Sequence, residues 1–308
     1  MGVHFLRMMW GNWTIVHEFV LVSFSALSTE LQALLFVLFL SIYLVVSNVL
    51  IILVTTVDSA LQSPMYFFLR NLSFLQIGFN LVIVPMLETL IMPDTNVSFL
   101  GCTAQMYFFF FFRASECCLL VTMAYDHYVV ICNPLCNPIF MGHRACAQLA
   151  AASWFSGYLV ASVFPFCGHN RVNHFFCDSP PVIALVCADT SLFELEALTT
   201  TVLFILFPLL LILGSYVRIL YTIFRMPSAE GKHKAFSTCS SHLLVVSLFY
   251  STAILIYFRL RSSTSPENKK LLSLSYTVVT PMLNPIIYSL RNSEVKAALR
   301  RAVHRALG

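Results

Sequence analysis

Few residues in this sequence could do chemistry from inside an apolar environment, and their spacing limits what that chemistry can be. The acids Glu88, Glu116 and Asp126 stand within long hydrophobic stretches, and Arg113 is a basic residue deep in one of them. An enzyme active inside a membrane needs paired carboxylates, or a histidine and an acid, at one depth. These three acids fall at different depths. Arg113 and Glu116 stand three residues apart, which puts them on one helix face. A charge near a bilayer centre costs roughly 2.5 to 3.5 kcal/mol on insertion scales, so buried ionisable residues pair. The spacing predicts an internal Arg113–Glu116 ion pair. A second reading has Arg113 reach a ligand. That would favour carboxylic acids or strong hydrogen-bond acceptors, because guanidinium binds carboxylate through two parallel bonds. Cys239 and His242 also share a helix face, but no further ligands converge on them. No metal site and no cofactor are expected.

The elements that hold these residues follow from composition. The chain has 308 residues, 58% hydrophobic and 10% charged, where soluble domains carry about 25% charged residues. A water-soluble fold could not hide this much apolar surface. A membrane-spanning helix needs about 20 apolar residues. Runs of that kind lie near Leu31–Val57, Pro64–Met92, Phe99–Cys132, Ala145–Pro165, Leu195–Phe224, Ala235–Phe258 and Leu271–Leu290. The expectation is an all-α fold, a bundle of seven transmembrane helices over residues 31–290. Residues 1–30 form an outer N-terminus and 291–308 a cytoplasmic tail. No cleavable signal peptide is evident before Asn12.

Orientation follows from basic residues near the ends of the runs. Arg291, Lys296, Arg300, Arg301 and Arg305 in the tail, and Arg225, Lys232 and Lys234 between the fifth and sixth runs, share one side. That side is expected to be cytoplasmic, which leaves the N-terminus outside. There Asn12-Trp13-Thr14 forms a glycosylation acceptor, and Asn96-Val97-Ser98 a second one close to the bilayer. Asn71-Leu72-Ser73 lies within a helix and is expected to stay unmodified. The tail reads as an amphipathic helix, with Val295, Ala298, Leu299, Ala302 and Val303 on one face, lying on the inner membrane surface. Cys102, Cys167, Cys177 and Cys187 fall on the outer side, where oxidation is permitted. Four cysteines allow three pairings, and spacing does not choose among them. The other six cysteines are expected to be free thiols.

Several strings taken together resemble the olfactory receptor family of rhodopsin-like, G-protein-coupled receptors. They are Pro64-Met65-Tyr66, Met123-Ala124-Tyr125-Asp126, Ser215-Tyr216, Lys234-Ala235-Phe236-Ser237-Thr238-Cys239, and Pro281-Met282-Leu283-Asn284-Pro285-Ile286-Ile287-Tyr288. The spaced Cys167, Cys177 and Cys187 resemble that family's long outer loop. The resemblance covers roughly Glu18 to Arg301. It implies disulfides Cys102–Cys177 and Cys167–Cys187. It implies a ligand site at Phe109, Phe110, Arg113 and Ala114 on helix three and Thr200, Thr201 and Phe204 on helix five. Tyr250, Ile254 and Tyr257 on helix six and Thr277 on helix seven complete that site. A pocket so rich in Phe fits small apolar ligands fixed by one or two hydrogen bonds.

The resemblance further implies that Asp126, His127 and Tyr128 face the G protein. Tyr216, Asn284, Pro285 and Tyr288 form a switch in which Tyr216 and Tyr288 are partners. Proline has no N–H and clashes with the carbonyl four residues back, so Pro285 and Pro208 loosen their helices. The implied function is odorant reception: a small odorant, a stimulatory olfactory G protein, a rise in cAMP, and a multi-pass plasma-membrane location in sensory cilia. Membrane lipid is a partner; nucleic acid and enzymatic activity are not expected. The chain departs from the family pattern where signalling is decided. His127 stands where the family has Arg, and histidine is shorter with an unperturbed pKa near 6.5. Gln76 stands where the family has an acid that, with one on helix three, can hold sodium. Glu116 matches the second acid, so a weakened sodium site and weakened coupling are the expectations.

Overall fold

The computed structural model describes residues 18–21, 46–91, 95–158, 171–172, 195, 198–259 and 280–307. Helices stand at the places of all seven apolar runs. In chain order they are α1 (Asn48–Val57), α2 (Pro64–Ile91), α3 (Phe99–Cys132), α4 (His143–Tyr158), α5 (Phe207–Arg225), α6 (Ala229–Arg259) and α7 (Thr280–Arg291). An eighth helix, α8 (Ser293–Leu307), follows. The expected outer portions of the first, fourth and seventh runs lie outside the described residues. So do Asn12, Cys167, Cys177, Cys187 and Thr277.

Helix α3 is the axis of the bundle and packs against α2, α4, α5 and α6. Its apolar residues are spread around the whole circumference, as a helix surrounded by others requires. Leu119, Leu120 and Met123 are fully buried. Helix α5 lies at the periphery: Ile212, Tyr216 and Ile219 are buried, while Leu210, Val217 and Phe224 are exposed. Only a lipid solvent makes that exposed apolar flank stable. A π-helical turn, Val202–Leu206, precedes α5, and Pro208 sits at its start. The proline cannot bond the carbonyl four residues back, and the wider turn accommodates the loss.

Three local features differ from the sequence reading. Helix α6 begins at Ala229, so Lys232 and Lys234 sit on a helix and not in a loop. Glu230 in its first turn suits the positive end of the helix dipole. Second, the end of the bundle at the start of α3 carries a small sheet, ordered β2-β1-β3, in a fold otherwise helical among the described residues. Strand β1 (Glu18–Leu21) pairs antiparallel with β2 (Thr95–Ser98) and parallel with β3 (Arg171–Val172). The acceptor Asn96 therefore stands in a paired strand, opposite Val20. Third, α8 is tied to the bundle. Asn292 caps it, its side-chain oxygen accepting from Glu294 N at 3.0 Å and Val295 N at 3.2 Å. Val295 and Ala298 are buried in the core. The Tyr66 hydroxyl donates to Glu294 at 2.8 Å, and Arg301 holds Asp58 Oδ2 through Nε at 3.0 Å and Nη2 at 2.7 Å.

Asn71 is committed inside the bundle. Its amide donates to the Phe67 carbonyl at 2.9 Å and accepts from Trp154 Nε1 at 3.2 Å, joining α2 to α4. Cys117, Cys118, Cys132, Cys136, Cys146 and Cys239 are free thiols, and Cys102 is disulfide-bonded.

Candidate functional site

Three buried elements converge on one carboxylate. Arg113 Nη1 donates to Glu116 Oε2 at 2.8 Å, with both side chains at most 5% exposed. Asn284 Nδ2, from α7, donates to Glu116 Oε1 at 2.9 Å. Gln76 faces the same carboxylate from α2 without closing an ordinary hydrogen bond to it. The ion pair predicted from spacing is therefore present, and it is bonded to the residue before Pro285, a proline inside α7. The place expected to form a weakened sodium site holds a covalently tethered cation beside Glu116. Rings of Phe79, Phe249 and Phe109 surround the Arg113 guanidinium, with centroids 4.7, 5.3 and 5.9 Å from its central carbon. Such cation–π contacts favour a charge held away from water.

A cavity opens beside this cluster, between α3, α6 and the segment that leads into α5. The room inside it is about 30 Å³, and the rest of the space is open mouth. Six residues of the expected ligand site line it: Phe110, Arg113, Ala114, Thr200, Thr201 and Phe204. Cys117, Ile205, Phe249 and Ala253 complete the wall. The sequence reading missed those four. Phe249 and Ala253 carry the same four-residue spacing as Tyr250 and Ile254, one position earlier on α6. One residue is about 100° of helix rotation. Tyr250 is turned away from this cavity, buried beside Cys117 with its ring edge-on to Phe249 at 5.1 Å. Ile254 packs against the core instead. Phe109 does not line the cavity either; its ring lies against Phe79 at 5.5 Å, near Arg113. Tyr257 falls on α6, but its side chain lies outside the described residues.

Toward the other end of α3 lie the residues expected to form a switch. Tyr216 is hydrogen-bonded to His242 Nδ1 at 2.7 Å, not to Tyr288. The Tyr288 hydroxyl is buried and meets no hydrogen-bond partner. His242 stacks between Tyr216 and His127, with ring centroids 5.8 and 5.3 Å away. These three rings join α3, α5 and α6. His127 Nδ1 donates to the Met123 carbonyl at 2.7 Å, one turn back on its own helix. It therefore turns away from Asp126, whose Oδ1 is buried without a hydrogen-bond partner. Tyr128 stacks on Tyr125 at 6.4 Å. Among the described residues no group of three or more His, Cys, Asp or Glu side chains gathers as metal ligands.

The geometry around Asp126 carries an expected result. An arginine at position 127 carries a permanent charge and is long enough to reach back to Asp126 on the same helix and neutralise it. His127→Arg should raise ligand-driven signalling severalfold at equal surface expression, measured with a second-messenger reporter normalised to surface antibody labelling. An unchanged response would mean that the His127–His242–Tyr216 stack has taken over the role of the arginine.

Comparisons with known proteins give the family and the fold. The family model described as "Olfactory receptor" matches residues 36–306. Human olfactory receptor 10A4 (Homo sapiens) is 80% identical over 98% of this chain and 99% of its own length. Human olfactory receptor 10A5 (Homo sapiens) is 66% identical, covering 96% of this chain and 97% of its own. In structure, squid rhodopsin superposes with a TM-score of 0.72 at 17% identity, over 91% of this chain and 87% of that one. The seven-helix fold is thus shared with rhodopsin.

Proposed function

This chain belongs to the olfactory receptor family, and from that premise we propose that it binds small, mostly apolar volatile molecules in the α3–α5–α6 cavity and signals through a stimulatory olfactory-type G protein, raising cAMP. It is a membrane receptor of the G-protein-coupled class and not an enzyme. The observation that carries the ligand reading is the cavity itself. Its wall joins aromatic and aliphatic side chains to few polar groups, Arg113, Thr200 and Thr201 among them. Such walls favour a small ligand oriented by one or two polar contacts.

In this reading the N-terminus is extracellular, Asn12 is glycosylated, and the basic ends of α5, α6 and α8 face the cytoplasm and its G protein. Helix α8 rests on the inner leaflet, its basic side toward anionic lipid. The receptor resides in the plasma membrane of sensory cilia. Signalling is weak for its class, because the residue after Asp126 is a short imidazole bonded to its own helix.

The test is a cAMP readout in cells expressing the full chain, exposed to an odorant panel, with surface expression measured alongside. At least one small apolar odorant should raise cAMP. A receptor displayed at the surface that leaves cAMP flat for every compound, while a responsive control receptor signals, would refute the proposal.

The proposed Cys102–Cys177 disulfide pins the long outer loop to α3. Cys102→Ser and Cys177→Ser should each abolish surface delivery, and the double variant should be no worse than either single, as read by flow cytometry. A disulfide acts as one unit. Clearly additive losses would exclude this pairing, with Cys102 then bonded elsewhere.

A further inference from the structure

The cavity is small for a ligand site. Its interior holds about 30 Å³, whereas pockets for small ligands start at roughly 300 Å³. A molecule of several heavy atoms therefore enters only by moving part of the wall. Ala114, Cys117 and Ala253 are too short to swing aside, so the longer side chains must yield. Two of these meet at one point. Arg113 lines the cavity, and the Phe249 ring, also in the wall, lies with its centroid 5.3 Å from the guanidinium carbon. Displacing either one disturbs the guanidinium.

That guanidinium is tied to another helix through a single carboxylate. Arg113 Nη1 donates to Glu116 Oε2 at 2.8 Å, and Glu116 Oε1 accepts from Asn284 Nδ2, on α7, at 2.9 Å. Both oxygens belong to one planar group, so a pull on Oε2 also turns Oε1. Hydrogen bonds weaken steeply once their angle is lost. Asn284 directly precedes Pro285, which lies inside α7 and has no backbone N–H to give the helix ladder. The bond from Glu116 thus grips α7 where that helix is softest. One turn further on, the buried Tyr288 hydroxyl has no hydrogen-bond partner to hold it in place.

We propose that Arg113 transmits occupancy of the cavity to α7: a ligand that widens the cavity shifts the guanidinium, draws Glu116 off Asn284 and frees α7 to bend at Pro285. Arg113 acts here as a positioning residue, through Glu116. This rests on the reading of the cavity as the ligand site.

Coupling between two sites is reciprocal. If ligand binding loosens the Glu116–Asn284 bond, then removing that bond tightens ligand binding. Asn284 does not line the cavity, so such a gain cannot come from direct contact. A purely structural role for Asn284 would give no gain.

The experiment follows thermal unfolding of the purified full-length receptor against octane, octanal, octan-1-ol and octan-2-one. For a probe that stabilises the unaltered receptor, Asn284→Ala should lower the half-maximal concentration about tenfold, the factor that one hydrogen bond to a charged group supplies. In the Arg113→Met background, where Glu116 can take up a proton and strand no charge, adding Asn284→Ala should leave that concentration unchanged. Unchanged or weaker binding in Asn284→Ala alone would overturn the inference. An equal gain in both backgrounds would also overturn it, since Arg113 would not be the link. Both of these results leave the cavity as a binding site. Should Asn284→Ala fail to fold, amide exchange in the unaltered receptor decides. The bound probe should then speed exchange at Ile286, Ile287 and Tyr288 severalfold, and slower or equal exchange would refute the coupling. If no probe shifts unfolding, the cavity is not a site for ligands of this size, and the ligand reading falls together with this inference.

Discussion

Glu116→Leu should remove most of the folded receptor, at a cost of about 3–5 kcal/mol, the range for breaking a buried ion pair by deleting one partner. The loss has two parts. Arg113 keeps its charge, because a guanidinium cannot be deprotonated in a protein. It then loses its carboxylate while still held among the rings of Phe79, Phe109 and Phe249. Asn284 also loses its acceptor on α3. The converse change, Arg113→Leu, should be milder. A buried carboxyl can take up a proton and stay bonded to Asn284. The double variant Arg113→Leu/Glu116→Leu should recover stability relative to Glu116→Leu, because no charge remains unpaired. The fraction of receptor at the cell surface and the unfolding temperature in detergent give the order: unaltered, then Arg113→Leu and the double variant, then Glu116→Leu. Equal losses for the two single variants would mean that charge plays little part in the cost.

The second large effect is steric. Gly157 on α4 crosses α3 so closely that a Cβ there would overlap the Phe111 carbonyl oxygen and lie 2.5 Å from Ser115 Oγ. A backbone carbonyl inside a helix cannot swing aside, so the two helices must separate. Gly157→Ala should cost about 1–3 kcal/mol, the usual range for overpacking, and Gly157→Leu should abolish surface delivery. Gly214 on α5 is the control. A Cβ there meets nothing within 4 Å, so Gly214→Ala should leave expression unchanged or raise it slightly through better helix propensity. Gly78 is intermediate: its Cβ would lie 2.6 Å from the Phe112 ring, the end of a side chain that can rotate. If Gly157→Ala behaves like Gly214→Ala, close approach at Gly157 does not hold the α3–α4 crossing together.

How much of this was legible beforehand differs from residue to residue. The bounds of α3 at Phe99 and Cys132 coincide with the apolar run. Ser98 caps the start, accepting from Gly101 N at 3.1 Å, and Asn133-Pro134 closes the end, since the residue before a proline avoids helical backbone. The start of α6 was not legible in the same way. Hydropathy marks where lipid begins, while a helix continues into water as long as its residues tolerate it. The small sheet was also hidden. Glu18–Leu21, Thr95–Ser98 and Arg171–Val172 are short and far apart in sequence. Their pairing depends on the bundle bringing three loops to one end.

Local rules sufficed wherever partners lie within one turn of the same helix. The Arg113–Glu116 pair and the shared face of Val295 and Ala298 are of this kind, because helix geometry fixes the distances before any tertiary contact forms. The membrane class itself follows from composition, because no soluble core could absorb the apolar surface. Tertiary structure decided everything that depends on helix rotation and on neighbours from other helices. The α6 stripe was read with the right spacing, but the cavity is walled by Phe249 and Ala253 while Tyr250 and Ile254 face elsewhere. Periodicity sets the width of a face, and only packing sets its phase. Glu116 bonding to Asn284 and His242 standing between His127 and Tyr216 are of the same kind. Each joins residues from different helices at one depth. The relative height and rotation of helices come from ridges fitting grooves across the whole bundle, which a linear string of residues does not record.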